Sequence, residues 1–274
     1  PGTAGADFST KRNEAAAVFN TDGQNTTGYA TVRVRTTAIT DEFQTFFRGG
    51  WGWDTSSIPD GAVISSSTVG FIGTEVGTDL GDTDVQIVSL ATPTNETAMV
   101  AADFDPADFG TTVFASASVS GINVAGTSND NNLFGLNSSG IAAINKTGNT
   151  YFGARIKWDT DNSFTGTWAS SVFTSVGFGL AEQTGTNLDP KLTVEYTVDP
   201  PVLSNLASSN VTSNTAVITW TTNISSDSGV TYDTSSPVTD GDPSVYDSAT
   251  TTSHSVTLTG LTGNVTYYFF ASST

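Results

Sequence analysis

Oxygen-bearing side chains at alternate positions of Asp159-Thr160-Asp161-Asn162-Ser163 suit a hard cation, and calcium is the ion that such a loop would take. Its ligands would be Asp159, Asp161, Asn162 and Ser163. The run is not an EF-hand loop, because Phe164 stands where that motif needs glycine and no glutamate follows at the twelfth position. Asp79-Leu80-Gly81-Asp82-Thr83-Asp84 and Asp103-Phe104-Asp105-Pro106-Ala107-Asp108 are comparable runs, and Asx-turns account for all three without a metal. Trp158 and Trp168 flank the first loop. With its amides and carboxylates they could form an aromatic platform for a sugar ring, the alternative being burial in a β-core. Trp51 and Trp53 are read as core.

Nucleophilic chemistry has little to work with. Cysteine is absent, and the single histidine, His254, shares its parity with Val256 and Leu258 near the start of a strand, which reads as a structural edge position. A serine-histidine-acid triad could use only His254, and no G-x-S-x-G elbow, phosphate loop or dinucleotide fingerprint accompanies it. Seven N-x-Ser/Thr sequons, at Asn25, Asn95, Asn137, Asn145, Asn210, Asn223 and Asn264, mark surface loops if the source glycosylates asparagine.

The elements that would position these residues are strands. Tyr29 to Arg35 alternates, with Val32 and Val34 on one face and Arg33 and Arg35 on the other. Further strands are expected at 85–90, 97–102, 111–120, 150–158, 172–180 and 191–198. Residues 11–19 read as one helical turn or an extended arm. Phe46 to Trp53 and Ala62 to Ile72 read as two strands of one core unit, joined by a turn on Ser57-Ile58-Pro59-Asp60-Gly61, in which Pro59 presets φ and Gly61 is free to take a positive value. Parity puts Val63 on one face with Val69 and Phe71. The run WDTSSIPDGAVISSSTVGFI, with Asp189-Pro190-Lys191-Leu192-Thr193-Val194-Glu195-Tyr196 as a closing strand, is similar to the DNRLRE-type secreted domains, although Gly52 stands where that family carries arginine. The resemblance covers residues 20–198 and implies a jelly-roll-like β-sandwich and, for some members, carbohydrate binding.

Asp199-Pro200-Pro201 reads as a stiff linker between domains. Beyond it, Ala216-Val217-Ile218-Thr219-Trp220, Gly229-Val230-Thr231-Tyr232-Asp233, Ser253 to Leu258 and Leu261 to Tyr267 resemble the strands and tyrosine corner of a fibronectin type III domain over 202–274. The resemblance implies that Tyr267 bonds back to the backbone and that the sandwich lacks its last strand. The expected fold is therefore all-β: an N-terminal arm at 1–19, a jelly-roll-like sandwich at 20–198, the linker at 199–201, and an immunoglobulin-like sandwich at 202–274.

Composition narrows the partners. Charged residues make up 13% of the 274, and nine Lys+Arg against 27 Asp+Glu leave a formal charge of −18, so hydroxyls and amides must solvate most of the surface. Such a surface repels phosphate backbones and anionic headgroups, and no apolar run reaches the ~18 residues that suit a bilayer, so neither nucleic acid nor membrane insertion is expected. A start at Pro1 is what removal of a signal peptide would leave. The expected protein is extracellular and non-catalytic, a structural or adhesion subunit of a surface or filament. The missing last strand is explained either by a longer protein cut short or by a second copy that fills the open edge, in which case the chain would pair with itself through the N-terminal arm. The alternative is a polysaccharide-binding region of a larger secreted enzyme.

Overall fold

A computed structural model describes residues 5–14, 29–94, 103, 105–124, 131–179 and 189–274. The strand expected at 97–102 and the sequons at Asn25 and Asn95 lie outside them. The chain divides into two compact units, 1–197 and 198–274, and both are built from antiparallel sheets.

Three sheets share one core in the first unit. The first has the order β2-β1-β10-β5, from β1 (Tyr29–Thr36), β2 (Phe43–Phe47), β5 (Gly73–Thr78) and β10 (Phe173–Gly179). The second has the order β3-β9-β6-β7, from β3 (Gly49–Asp54), β6 (Asp84–Leu90), β7 (Phe109–Ser118) and β9 (Asn149–Ile156). The third is β11-β4-β8, from β4 (Ala62–Phe71), β8 (Asn132–Gly135) and β11 (Lys191–Val198). Period-two alternation explains the packing. Val32 and Val34, Trp51, Val69 and Phe71, Val85 and Ile87, Phe134, Phe152 and Ala154, and Val176 and Phe178 all point into one buried cluster, so the all-β sandwich follows from parity strand by strand. At its centre Phe178 packs against Phe71, Trp51 and Phe134, with ring centroids 4.7, 5.9 and 6.0 Å away. The middle strand β6 is buried on both faces: Val88 and Leu90 leave the main core and join Phe109 in a satellite cluster.

Three readings of the Phe46–Ile72 stretch change. The strand expected at 46–53 breaks at Arg48, so β2 belongs to one sheet and β3 to another, and β4 joins neither; the stretch crosses between sheets and is not a paired unit. The turn has Pro59 at its first position, closed by Ala62 N–H to Pro59 O at 2.9 Å, and positive φ is used by Gly81 and Gly260 rather than Gly61. Val63 is 58% exposed while Val69 and Phe71 are buried. The buried parity shifts across Ser65-Ser66-Ser67, whose hydroxyls bond Glu195 and Thr193 of β11 and which present no apolar side chain to hold one phase.

Among the described residues three short α-helices interrupt the sheets: α1 (Phe8–Arg12), α2 (Ser138–Ala142) and α3 (Lys157–Asp161). Asp7 caps α1, accepting from Thr10 N–H at 3.0 Å, and Asn137 caps α2, accepting from Ser139 and Gly140 N–H. The described part of the N-terminal arm is docked on its own unit. Ala6 bridges Phe43, and Phe8 packs edge-on to Phe43 and Phe46.

The second unit has four strands, β12 (Leu203–Ser209), β13 (Thr215–Asp233), β14 (Ser244–Thr259) and β15 (Tyr268–Ser272). The strands expected at 216–220 and 229–233 are one continuous strand. β13 pairs with β14 between Thr215 and Thr231, with register shifts around Ser226; its first half also pairs with β12 and its second half with β15. This bend lets one strand pair serve two sheet directions around a core of Ile218, Trp220, Val230, Val256 and Leu258. The Tyr267 contact with the backbone is present, Thr262 N–H donating to its Oη at 3.1 Å. Truncating the central ring by Phe178→Ala is expected to cost the first unit about 3–5 kcal/mol, seen as a lower urea midpoint with an unchanged slope.

Candidate functional site

The densest cluster of charge is built by residues far apart in sequence. Arg155 ends β9, and one turn later α3 places Asp159 beneath it. Arg48 sits at the break between β2 and β3, and Arg12 closes α1. The Asp159 carboxylate receives two complete guanidinium forks: Nε and Nη2 of Arg48 at 2.8 and 2.9 Å, and Nε and Nη2 of Arg155 at 2.9 Å each. Arg12 Nε lies 3.3 Å from the same carboxylate and donates to the Asp159 carbonyl at 2.6 Å. The spare guanidinium protons go to main chain, Arg48 to Arg12 O at 3.0 Å and Arg155 to Phe109 O at 2.9 Å. Arg155 is fully buried and the Asp159 side chain is 2% exposed.

Burial works to raise the Asp159 pKa, but the hydrogen bonds from Arg155 and the charge of Arg48 outweigh it and hold the carboxyl below its usual range. The carboxylate is therefore ionised and fully occupied at neutral pH, which makes it a poor base or nucleophile and a good clamp. Beside Arg12 lies an open depression of about 400 Å3 lined by Arg12, Asn13, Asp105, Pro106 and Ala107. On its Asp103–Asp108 side the acids crowd one another, and burial followed by Asp105 and Asp103 pushes the Asp108 carboxyl up.

This geometry corrects the placement of the calcium ligands. Asp159 faces three arginines inside the unit, Asp161 turns to Lys157 at 2.5 Å, and Asn162 takes a left-handed φ of 51° that ends α3, so the two carboxylates of the run are committed to separate cationic partners. Among the described residues no three acidic or histidine side chains gather in a cation-holding arrangement. The sugar platform moves too. Trp158 belongs to α3 rather than to the preceding strand; it is 2% exposed, packs against Phe164 and bonds Thr165 Oγ1 at 3.1 Å. Trp168 is half-buried against the core with its Nε1 enclosed. Both indoles pack against the main core, Trp158 wholly and Trp168 in part.

His254 lies well inside β14, an outer strand of its sheet, and its side chain is buried: the ring stacks on Trp220 at 4.8 Å and 4°. Thr222 Oγ1 and Ser228 Oγ each lie 2.8 Å from one of its ring nitrogens, and Asp227 points instead to Tyr246 and Thr274. A histidine between two buried hydroxyls, with no acid on its ring, lacks the third member that a triad needs. The described sequon residues Asn137, Asn145, Asn210, Asn223 and Asn264 are all exposed, but Asn223 lies within β13 rather than in a loop. Asn137 Nδ2 already donates to Val113 O at 2.8 Å and Asn145 Nδ2 to Asn149 O at 3.3 Å, whereas Asn210 and Asn264 occupy left-handed turns.

Sequence reasoning missed the arginine cluster. The spacing of Arg155 and Asp159, four apart, was its one local signal; Arg12 and Arg48 reach the site only through the tertiary fold.

Replacing Asp159 by Asn strands the arginines and is expected to cost the first unit about 3–5 kcal/mol. An aspartate titrates near ~3.9 when unfolded and lower in this fold, so its stabilisation is present above about pH 4 and is lost as pH falls through the folded value. Urea midpoints between neutral and acid pH are expected to fall less steeply in Asp159→Asn than in the parent chain. No family model, curated protein or solved structure matches this chain.

Proposed function

We propose that this is a non-catalytic extracellular protein of structural or adhesive role that assembles by β-strand pairing along β15 with a second copy of itself. The observation that carries this reading is that β15 pairs with β13 on one side and with no other strand among the described residues. Its inward side chains Phe269 and Ala271 only partly cover the small core of that unit. An added strand would satisfy the free edge with main-chain hydrogen bonds and finish covering those side chains. The small share of charged residues and the hydroxyl-rich composition suit an extracellular surface built for repeated contact. The docked arm at 5–14 leaves β15 itself as the pairing element.

A second reading, a polysaccharide-binding region of a larger secreted enzyme, is favoured by one feature. Tyr246 and Tyr268, 65% and 46% exposed, project from the same face of the β14-β13-β15 sheet, because their partners Gly229 and Asp233 share a parity. Exposed aromatic faces of this kind stack on sugar rings.

Light scattering and negative-stain microscopy over a concentration series test the first reading. Oligomers or filaments that grow with concentration are expected, and Tyr268→Lys, which sets a charge on the edge strand, is expected to shift association to at least about tenfold higher concentration. A chain that stays monomeric throughout overturns it. Binding to insoluble polysaccharide that Tyr246→Ala abolishes would establish the second.

A further inference from the structure

Two turns of the second unit carry the same triplet, Asn-Val-Thr, at 210–212 and 264–266. The turns lie side by side: Leu261 N–H donates to Asn214 O at 3.0 Å, and a Cβ placed on Gly263 would stand 3.2 Å from Ser213 O. Both asparagines take a left-handed φ, 49° and 61°, which asparagine tolerates better than most residues. All six residues of the two triplets are exposed, and neither turn carries a charged side chain.

The described sequons differ in what their side chains already hold. Asn137 Oδ1 accepts from Ser139 and Gly140 N–H, and its Nδ2 is given to Val113 O. Asn145 Oδ1 accepts from the N–H and the hydroxyl of its own Thr147, both at 3.0 Å. Asn223 sits within β13 and accepts from Val202 N–H at 2.7 Å. In the 210–212 triplet it is the threonine that is tied, the Thr212 hydroxyl accepting from Asn214 and Thr215 N–H at 3.3 and 3.0 Å. Asn264, Val265 and Thr266 make no hydrogen bond with the described residues. Their turn is held from its flanks instead, by the Leu261 bond on one side and by Thr262 N–H to Tyr267 Oη around the triplet. Turn geometry accounts for Asn264 but asks nothing of Thr266.

We propose that Asn264 is a glycosylation site, the acceptor of an oligosaccharide carried on a polyprenyl diphosphate. In the transfer Nδ2 of Asn264 bonds the anomeric carbon of the first sugar as the bond from that carbon to the diphosphate breaks. The lipid diphosphate leaves with the bonding pair, and Nδ2 gives up one proton to a base of the transferase. The Thr266 hydroxyl is the group by which the transferase reads the triplet. No bond of the fold has to be undone first, and no charge in either turn repels the diphosphate. Export would bring the chain to such a transferase; the acceptor chemistry is tested apart from that and from pairing at β15.

Transfer to the purified, folded full chain is the test, with a lipid-linked oligosaccharide, a transferase that accepts N-x-Ser/Thr, and peptide mapping by mass spectrometry. Synthetic peptides spanning Asn137, Asn145 and Asn264 give the intrinsic rate of each triplet. Relative to its peptide, Asn264 in the folded chain is expected to be modified at least about tenfold faster than Asn137 or Asn145, because those side chains must first give up bonds of the fold. Thr266→Ala is expected to abolish modification at Asn264 and to leave the urea midpoint unchanged, since that hydroxyl bonds nothing in the fold. The proposal is overturned if the folded chain takes no sugar at Asn264, if Asn264 is modified no faster than Asn137 or Asn145 on that scale, or if Thr266→Ala is modified there as well as the parent chain.

Discussion

A single buried carboxylate organises the first unit. Asp159 could not remain ionised inside a β-sandwich by itself, since desolvating one charge costs far more than any one contact returns. Two bidentate arginines and a third at the rim make it tolerable, and each arginine brings its own element with it. Arg48 fixes the point where the chain leaves one sheet for another, Arg155 ends β9, Arg12 holds α1 in place, and the Phe109 carbonyl ties in the start of β7. The strand break at Arg48 and the one-turn helix α3 are both consequences of bringing these groups to one place.

The same demand for polar satisfaction is met elsewhere without charge. A chain with 13% charged residues has few ions to spend on its interior, and it uses hydroxyls. Thr55 and Thr150 bond each other at 2.7 Å beneath the β3–β9 end, Thr36 bonds the carbonyl of Ala169, and Ser67 reaches across to β11. In the second unit Thr222, Ser226 and Ser228 surround His254 where β13 bends, so the bend is lined by groups that can satisfy both a ring and the backbone. Serine and threonine therefore act inside this protein as well as on its surface, and this is why runs of them were poor guides to exposure.

Local pattern was readable where one face of a strand is apolar and the other polar. β1 is the clearest case: Val32 and Val34 are fully buried and the arginines between them lie on the other face. It failed where the pattern lapses, as across Ser65-Ser66-Ser67, and where a short run of oxygen side chains looked like a loop but folds as a helical turn. Trp158 illustrates the second failure. Its neighbours suggested an exposed platform, and only the close approach of Phe164 and Thr165 shows the indole to be interior.

The all-β character, the parity of the major strands and the Tyr267 contact were determined by the sequence alone, because each depends on residues within a few positions of one another. The tertiary structure decided the rest. Which sheet β2, β3 and β4 each join, the fusion of two expected strands into β13, the stacking of His254 on Trp220, and the arrival of Arg12 and Arg48 at Asp159 all rest on pairs tens to more than a hundred residues apart. A side chain's charge and shape are written in the sequence, but its partner is chosen by the fold.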